Sequence, residues 1–144
     1  MKIAIAGDHG GFELKRTLKS YLVENGHEVQ DFGACEFNAE DGFPDFALPL
    51  ARAVANGDFD RGVLVCGSGV GVSIAANKVK GIRAVNCNSK ELAELSRLHN
   101  NTNVICFGGR LMTAEQAIEY LDIWLNTEFL GGKYQTRNDV LDNL

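Results

Sequence analysis

Gly62-Val63-Leu64-Val65-Cys66-Gly67-Ser68-Gly69-Val70-Gly71 passes from an apolar run into a turn in which glycine alternates with other residues. A run this short, closed by glycines, reads as a strand buried on both faces, and the residues after it, through Asn77, as a helix. Strands are covered on both faces when the sheet is parallel and helices cross over it. The flanking sequence repeats the unit. Upstream, Ile3–Ala6 leads into Gly7-Asp8-His9-Gly10-Gly11. Phe12, Leu14, Leu18, Tyr21 and Leu22 then recur at helical spacing, up to a stop at Asn25-Gly26. His27–Phe32 forms a second strand, residues 33–42 a polar loop, and Asp45–Asn56 a helix ended by Gly57. Downstream, Ile82–Asn86 is a fourth strand. Ser89–Leu98 is a helix with Ser89 as N-cap and Leu92 and Leu95 on its apolar side, and Asn103–Phe107 is a fifth strand. Thr113 caps a long helix to about Asn126, and Gly131-Gly132 separates it from a short helix over Tyr134–Leu144. Five strands alternating with helices predict an α/β, three-layer Rossmann-like (flavodoxin-like) domain with a five-stranded parallel sheet and right-handed crossovers. It is expected to be a single domain over residues 1–144, with a C-terminal helical extension at about 131–144.

The 144 residues are 45% hydrophobic and 23% charged, enough apolar material for one core of ordinary size. Fourteen Lys and Arg against nineteen Asp and Glu leave a net charge of −5, the wrong sign for holding nucleic acid or an anionic membrane surface. A small anion needs only two or three well-placed cations and is compatible with that charge. No stretch approaches the ~18 apolar residues of a membrane span, and the apolar run at Ile3–Ala6 is too short for a secretory signal. Cys35, Cys66, Cys87 and Cys106 are widely spaced without a C-x-x-C pair. That spacing argues against a disulfide framework or a zinc site, and for a reducing cytoplasm. Sixteen glycines against two prolines, and the clustering of those glycines, are the compositional anomaly.

In an open parallel sheet, ligands bind beyond the carboxyl ends of the strands, where strand order reverses. The loops after strands one, three and five, Gly7–Gly11, Cys66–Gly71 and Gly108-Gly109-Arg110, bring most of the clustered glycines to that edge. Gly67, Gly69 and Gly71 leave backbone amides bare at a helix N-terminus, a site for an anion or an oxyanion. Cys66 stands just before the positive end of that helix, where thiolate is favoured, and Ser68 adds a hydroxyl. The structural alternative makes Cys66 one more buried small hydrophobe, as suits Cys106 inside strand five; the strand-end position favours chemistry. Gly67-x-Gly69-x-Gly71 is not the G-x-G-x-x-G fingerprint, no acid ends strand four, and no G-K-[ST] element occurs, so nucleotide binding is weakly supported. Asp8-His9 sets an acid and an imidazole at the end of strand one, with Asp8 equally suited to capping the next helix. His27, at the opposite edge, reads as a surface histidine.

His99-Asn100-Asn101-Thr102-Asn103 is a dense polar run after the fourth helix. A helix that begins at the carboxyl edge of the sheet ends at the other edge, so His99 lies far from the Cys66 of its own chain. Lys133 and Arg137 are delivered to that distant edge as well. At i and i+4 they share one helical face, suited to a phosphate or simply to solvent. If these residues serve the site, they serve that of a neighbouring subunit, which predicts an obligate dimer with composite sites.

The chain carries, in order, Gly7-Asp8-His9, then Cys66-Gly67-Ser68-Gly69-Val70-Gly71 with Ile74-Ala75-Ala76-Asn77-Lys78, then Gly81-Ile82-Arg83-Ala84. Ser96-Arg97-x-His99-Asn100-x-Thr102-Asn103-Val104, Phe107-Gly108-x-Arg110 and Gly131-Gly132-Lys133-x-x-x-Arg137 follow. With these motifs it resembles, over essentially its whole length, the type B ribose-5-phosphate isomerases and the related galactose-6-phosphate isomerase subunits. The resemblance implies aldose–ketose isomerisation of a phosphorylated sugar through a cis-enediolate, without metal or organic cofactor. D-ribose 5-phosphate and D-ribulose 5-phosphate are the leading pair. By position, Cys66 is implied as the base, with the backbone of Gly67, Ser68, Gly69, Val70 and Gly71 around the enediolate. Ser68 stands where the family commonly has Thr. His99 is implied in acid chemistry and ring opening, Asp8, His9 and Asn100 in sugar contact, and Arg110, Lys133 and Arg137 in phosphate binding. The implied partners are a phosphorylated sugar and a second copy of the chain, as a homodimer with shared sites or a tetramer, with no nucleic acid and no membrane. Three departures leave the sugar open: Lys133 where the family usually has Arg, Tyr134 where His is common, and Asp41-Gly42-Phe43-Pro44 in place of Asp-Tyr-Pro. Other tetrose, pentose or hexose phosphates, such as galactose 6-phosphate or allose 6-phosphate, are the alternative within the class. The A-type galactose-6-phosphate isomerase subunits lack the Cys66-centred motif. A non-catalytic module that binds a sugar phosphate or a nucleotide is the alternative outside the class, and Cys66, Ser68 and His99 together count against it.

Overall fold

The apolar run over Val63–Val65 lies in β3, Arg61–Cys66, the middle strand of a five-stranded parallel sheet. A computed structural model describes residues 1–144. Around β3 stand β1 (Lys2–Gly7), β2 (Glu28–Asp31), β4 (Ala84–Asn86) and β5 (Val104–Gly108), in the order β2-β1-β3-β5-β4. The period of two sorts the three central strands cleanly. Ile3, Ile5, Val63, Val65, Ile105 and Phe107 enter one core. There they meet Leu14, Leu18 and Leu22 of α1 (Phe12–Glu24), and Ala117, Leu121 and Trp124 of α5 (Ala114–Leu125). Ala4, Ala6, Leu64, Cys66, Val104 and Cys106 enter the other. Ala47, Leu50 and Ala51 of α2 (Pro44–Ala55), with Val72 and Ala76 of α3 (Val70–Asn77), close it. The expected three-layer α/β class is therefore observed.

Relative to the flavodoxin order 2-1-3-4-5, the last two strands exchange places, so β5 lies beside β3 and β4 takes the edge. That places the loop after β5 next to the loop after β3. β2 and β4 are shorter than the sequence suggests, because both lie at the edges and are only partly covered. The helix α4 (Lys90–Asn100) corrects a second expectation: Leu92 and Leu95 are 40% and 43% exposed, and the face turned inward is Ala93, Ser96 and Arg97. Arg97 can occupy that interior because its guanidinium donates to Asn101 Oδ1 and the Thr102 carbonyl at 2.7 Å each, and to the Thr127 carbonyl at 3.2 Å. α6, Lys133–Asp142, lies against α4 and is tied down by Arg83, whose Nη1 donates to the Asp142 carboxylate at 2.6 Å. No helix is long and apolar enough to cross a membrane.

Candidate active site

The loops after β1, β3 and β5 meet at one crevice, and they meet through glycine. A Cβ on Gly10 would stand 2.7 Å from the Gly67 nitrogen, and one on Gly109 would stand 2.7 Å from the Gly10 carbonyl oxygen. Backbone bonds knit the same loops: the Gly109 amide donates to the Cys66 carbonyl at 2.8 Å, and the Arg110 amide to the Gly67 carbonyl at 3.0 Å. Gly69, the residue that launches α3, has φ +80, the left-handed region that glycine enters without a Cβ penalty. That turn brings the Gly69 amide to 3.2 Å from Cys66 Sγ, donating to it. A backbone N–H at the head of α3 is thereby aimed at the sulfur. Cys66 is 5% exposed at the end of its strand. Burial pushes the Cys87 thiol up to about 11 and raises the Cys106 thiol as well, which keeps both protonated. The Val70 amide donates to Ser68 Oγ at 3.2 Å, and Ser68 itself is exposed at the crevice.

Asp8 is buried and caps the short 3-10 turn His9–Gly11, its Oδ1 accepting from the Gly10 amide at 2.9 Å. Below it, Lys15, 1% exposed, donates to Asp31 Oδ1 at 3.0 Å and to the Ala34 carbonyl. The Gly33–Ala34 segment held in this way pairs with both backbone groups of Gly7, at 2.8 and 2.7 Å. His9 is engaged by Asp41, which arrives from the loop between β2 and α2: Asp41 Oδ1 lies 2.7 Å from His9 Nδ1 and 3.0 Å from its amide. The Phe37 ring meets the imidazole edge-on at 6.3 Å. Phe43 covers Gly71, where a Cβ would meet its ring at 2.9 Å, and the Arg110 side chain runs over Gly67, with Nη1 at 3.1 Å from such a Cβ.

The other expected site residues form a second cluster. His99 stacks on Tyr134 with ring centroids 4.4 Å apart and planes 12° from parallel. Lys133 and Arg137 both lie near the Tyr134 ring, at 5.3 and 5.6 Å. The buried Asn138 joins α4 to α6, donating to the His99 carbonyl at 3.1 Å and accepting from Asn100 at 3.2 Å. This cluster is at the amino edge of the sheet, since Asn103, three residues past Asn100, accepts from the Gly62 amide at 2.9 Å. From Gly62 to Cys66 the strand runs about 13 Å. Asp8, His9, Cys66–Gly71 and Arg110 are thus brought together, while His99, Asn100, Lys133 and Arg137 stand apart from them within one chain. His27 lies outside both groups, against the amino terminus at 3.2 Å. The pairing of Asp41 and Phe37 with His9, and of Asn138 with His99 and Asn100, carries no signal in the sequence, because the partners are distant in the chain.

Between the end of α3, α4 and the end of α6 runs a groove of 730 Å³ with Leu92, Leu95, Leu141, His99 and Asn100 on its walls. A parallel α/β protein with a thiol facing backbone amides at a strand-order switch belongs, by fold and site, with the proteins that handle small metabolites at that edge. The family description Ribose/Galactose Isomerase matches residues 3–141, and the chain belongs to that family. It is 47% identical to ribose-5-phosphate isomerase B of Escherichia coli over 140 residues, 97% of this chain and 93% of that one. It is 40% identical to a D-erythrulose-4-phosphate isomerase of Pectobacterium atrosepticum, over 92% of this chain and 87% of that one. Among solved structures, ribose-5-phosphate isomerase B of Mycoplasma genitalium with bound ribulose 5-phosphate superposes with a TM-score of 0.95. That pair is 42% identical and covers 99% of this chain and 94% of the other.

Proposed function

We propose that this chain is an aldose–ketose isomerase that interconverts D-ribose 5-phosphate and D-ribulose 5-phosphate through a cis-enediolate. The observation that carries the reading is the Gly69 amide on Cys66 Sγ at 3.2 Å, within the glycine-rich turn that opens α3. The Cys66 thiolate takes the proton from C2 of the open-chain aldose. The C–H electron pair becomes the C1–C2 double bond, and the former carbonyl oxygen takes up the negative charge. Amides of Gly67 to Gly71 meet that charge as it forms, where fixed donors contribute most. Return of the proton from the thiol to C1, as the O2 proton passes to O1 and C2–O2 becomes the carbonyl, gives the ketose, and the balance needs no redox partner. Asp8 and His9 hold sugar hydroxyls, and Arg110 the phosphate. The phosphate, remote from the reacting carbons, supplies positioning energy.

His99, Asn100, Lys133 and Arg137 complete the site of a second copy, so the working unit is a homodimer in which each crevice draws on both chains. The exposed Leu92, Leu95 and Leu141 beside His99 support this, being the kind of apolar face that a partner covers. His99 then opens the furanose ring as the acid, and Lys133 and Arg137 grip the phosphate. The charge and the unpaired cysteines fit an enzyme of the cytoplasm.

A tetrose phosphate is the second reading, favoured by the 40% identity to the D-erythrulose-4-phosphate isomerase and by the Phe43 ring over Gly71. Ketose formation from ribose 5-phosphate, measured in excess chelator beside Cys66→Ala, tests the proposal. Wild-type turnover, at least about 1,000-fold reduced in the variant, is the expected result. Turnover on erythrose or erythrulose 4-phosphate alone would select the second reading, and near-normal rates in Cys66→Ala would remove the thiol from the chemistry.

A further inference from the structure

The carboxylate of Asp41 is the unexplained group in the crevice. It lies 32 residues from His9 in the chain, yet one of its oxygens, Oδ1, meets both the His9 amide at 3.0 Å and the ring Nδ1 at 2.7 Å. Its other oxygen, Oδ2, is buried without a hydrogen-bond partner, and the side chain is 9% exposed. Burying a carboxylate oxygen without a protein partner is unfavourable for folding. The group is therefore retained at a cost to stability, the pattern of a residue kept for the site. Asp8, the other acid beside the ring, is already engaged by the Gly10 amide at 2.9 Å and sits in a capping geometry.

A carboxylate has no proton to give, so the short contact to Nδ1 requires the imidazole to donate from that nitrogen. Nδ1 is thereby occupied, and Nε2 is the one ring nitrogen left for a ligand. In the neutral ring Nε2 carries a lone pair and accepts. We infer that Asp41 is a positioning residue that locks His9 as its Nδ1–H tautomer, so that Nε2 accepts a hydrogen bond from a substrate hydroxyl. Carboxylates that orient metal-bound histidines act by the same logic on a different ligand. The inference rests on the proposed contact of His9 with the sugar, but the tautomer itself is a property of the free protein.

The chain has three histidines, so the test is direct. Nitrogen-15 spectra of histidine-labelled protein, with His9 assigned by the loss of its signals in His9→Ala, report which ring nitrogen carries the proton. The expected result is a protonated Nδ1 and an unprotonated Nε2 in wild type, and a shift toward the Nε2–H form in Asp41→Ala. Asp41→Asn, which keeps an acceptor oxygen in place, should retain the wild-type tautomer and guard against a folding defect in the alanine variant. In kinetics, Asp41→Ala should lower kcat/KM about 10–100-fold, mostly through KM, and should add nothing in a His9→Ala background. A wild-type His9 in the Nε2–H form, or an unchanged tautomer in Asp41→Ala, would overturn the inference, as would penalties that add in the double variant. If wild type turns over no phosphosugar, the functional reading fails while the spectra still decide the tautomer.

Discussion

Gly69 shows how tightly a single position is specified. Its φ is +80, and a Cβ there would collide with the Asn86 side-chain oxygen and come within 3.1 Å of the Phe107 carbonyl carbon. A left-handed conformation costs a non-glycine residue about 1–2 kcal/mol before any clash. Gly69→Ala should therefore lower stability by about 2 kcal/mol or more, read from the midpoint of urea unfolding. Turnover should fall further than the loss of folded protein explains, because the amide that meets Cys66 moves with the turn. An alanine variant of wild-type stability and rate would contradict this account. The sequence marks Cys66, Asp8 and the glycines as candidates because their types and places at strand ends are local facts. It cannot mark Asp41 for His9, or Asn86 for Gly69, since those pairings exist only once the sheet has assembled.

Among the elements, α4 is where pattern reading fails for a physical reason. Leu92 and Leu95 invite assignment to the core, yet the helix turns Ala93, Ser96 and Arg97 inward. A buried arginine is acceptable there only because three oxygens wait for it, and none of them can be anticipated from helical periodicity. α1 and α5, in contrast, are read correctly, and a polar tie joins them as well: Tyr21 Oη donates to Asp122 Oδ2 at 2.5 Å. That hydrogen bond, followed by burial and the carboxylate's charge, pushes the Tyr21 phenol up to about 12, against about 10 in an unfolded chain. The folded protein thus keeps a proton that the unfolded chain has lost between those values. The tie contributes in full below about pH 10 and is lost as pH rises toward 12. Thermal unfolding followed from about pH 9 to 12 should show this slope, and Tyr21→Phe should flatten it while costing about 1 kcal/mol at neutral pH. An identical slope in the phenylalanine variant would place its origin elsewhere.

At the scale of the molecule, the division of site residues between the two edges of one sheet makes a quantitative demand on the proposed dimer. Cys66→Ala chains and Lys133→Ala/Arg137→Ala chains are each expected to be inactive alone. Mixed and allowed to exchange, half of the pairs are heterodimers, and each of these holds one intact crevice of two. About a quarter of wild-type activity should return. No recovery in heterodimers shown to form would mean that the two clusters do not share a site. The three loops around Cys66 carry a different implication, for how such a chain can diversify. Gly10 lies against the backbone of Gly67, and Gly109 against that of Gly10, leaving no room for a side chain at Gly10 or Gly109. A change in one loop must be answered by simultaneous changes in the others, a route that single mutations cannot follow. Gly42 and Phe43, at the rim, and Lys133 and Tyr134, on a separate helix, are free of that constraint. New substrates should therefore be acquired through those positions, with the proton-transfer apparatus inherited unchanged.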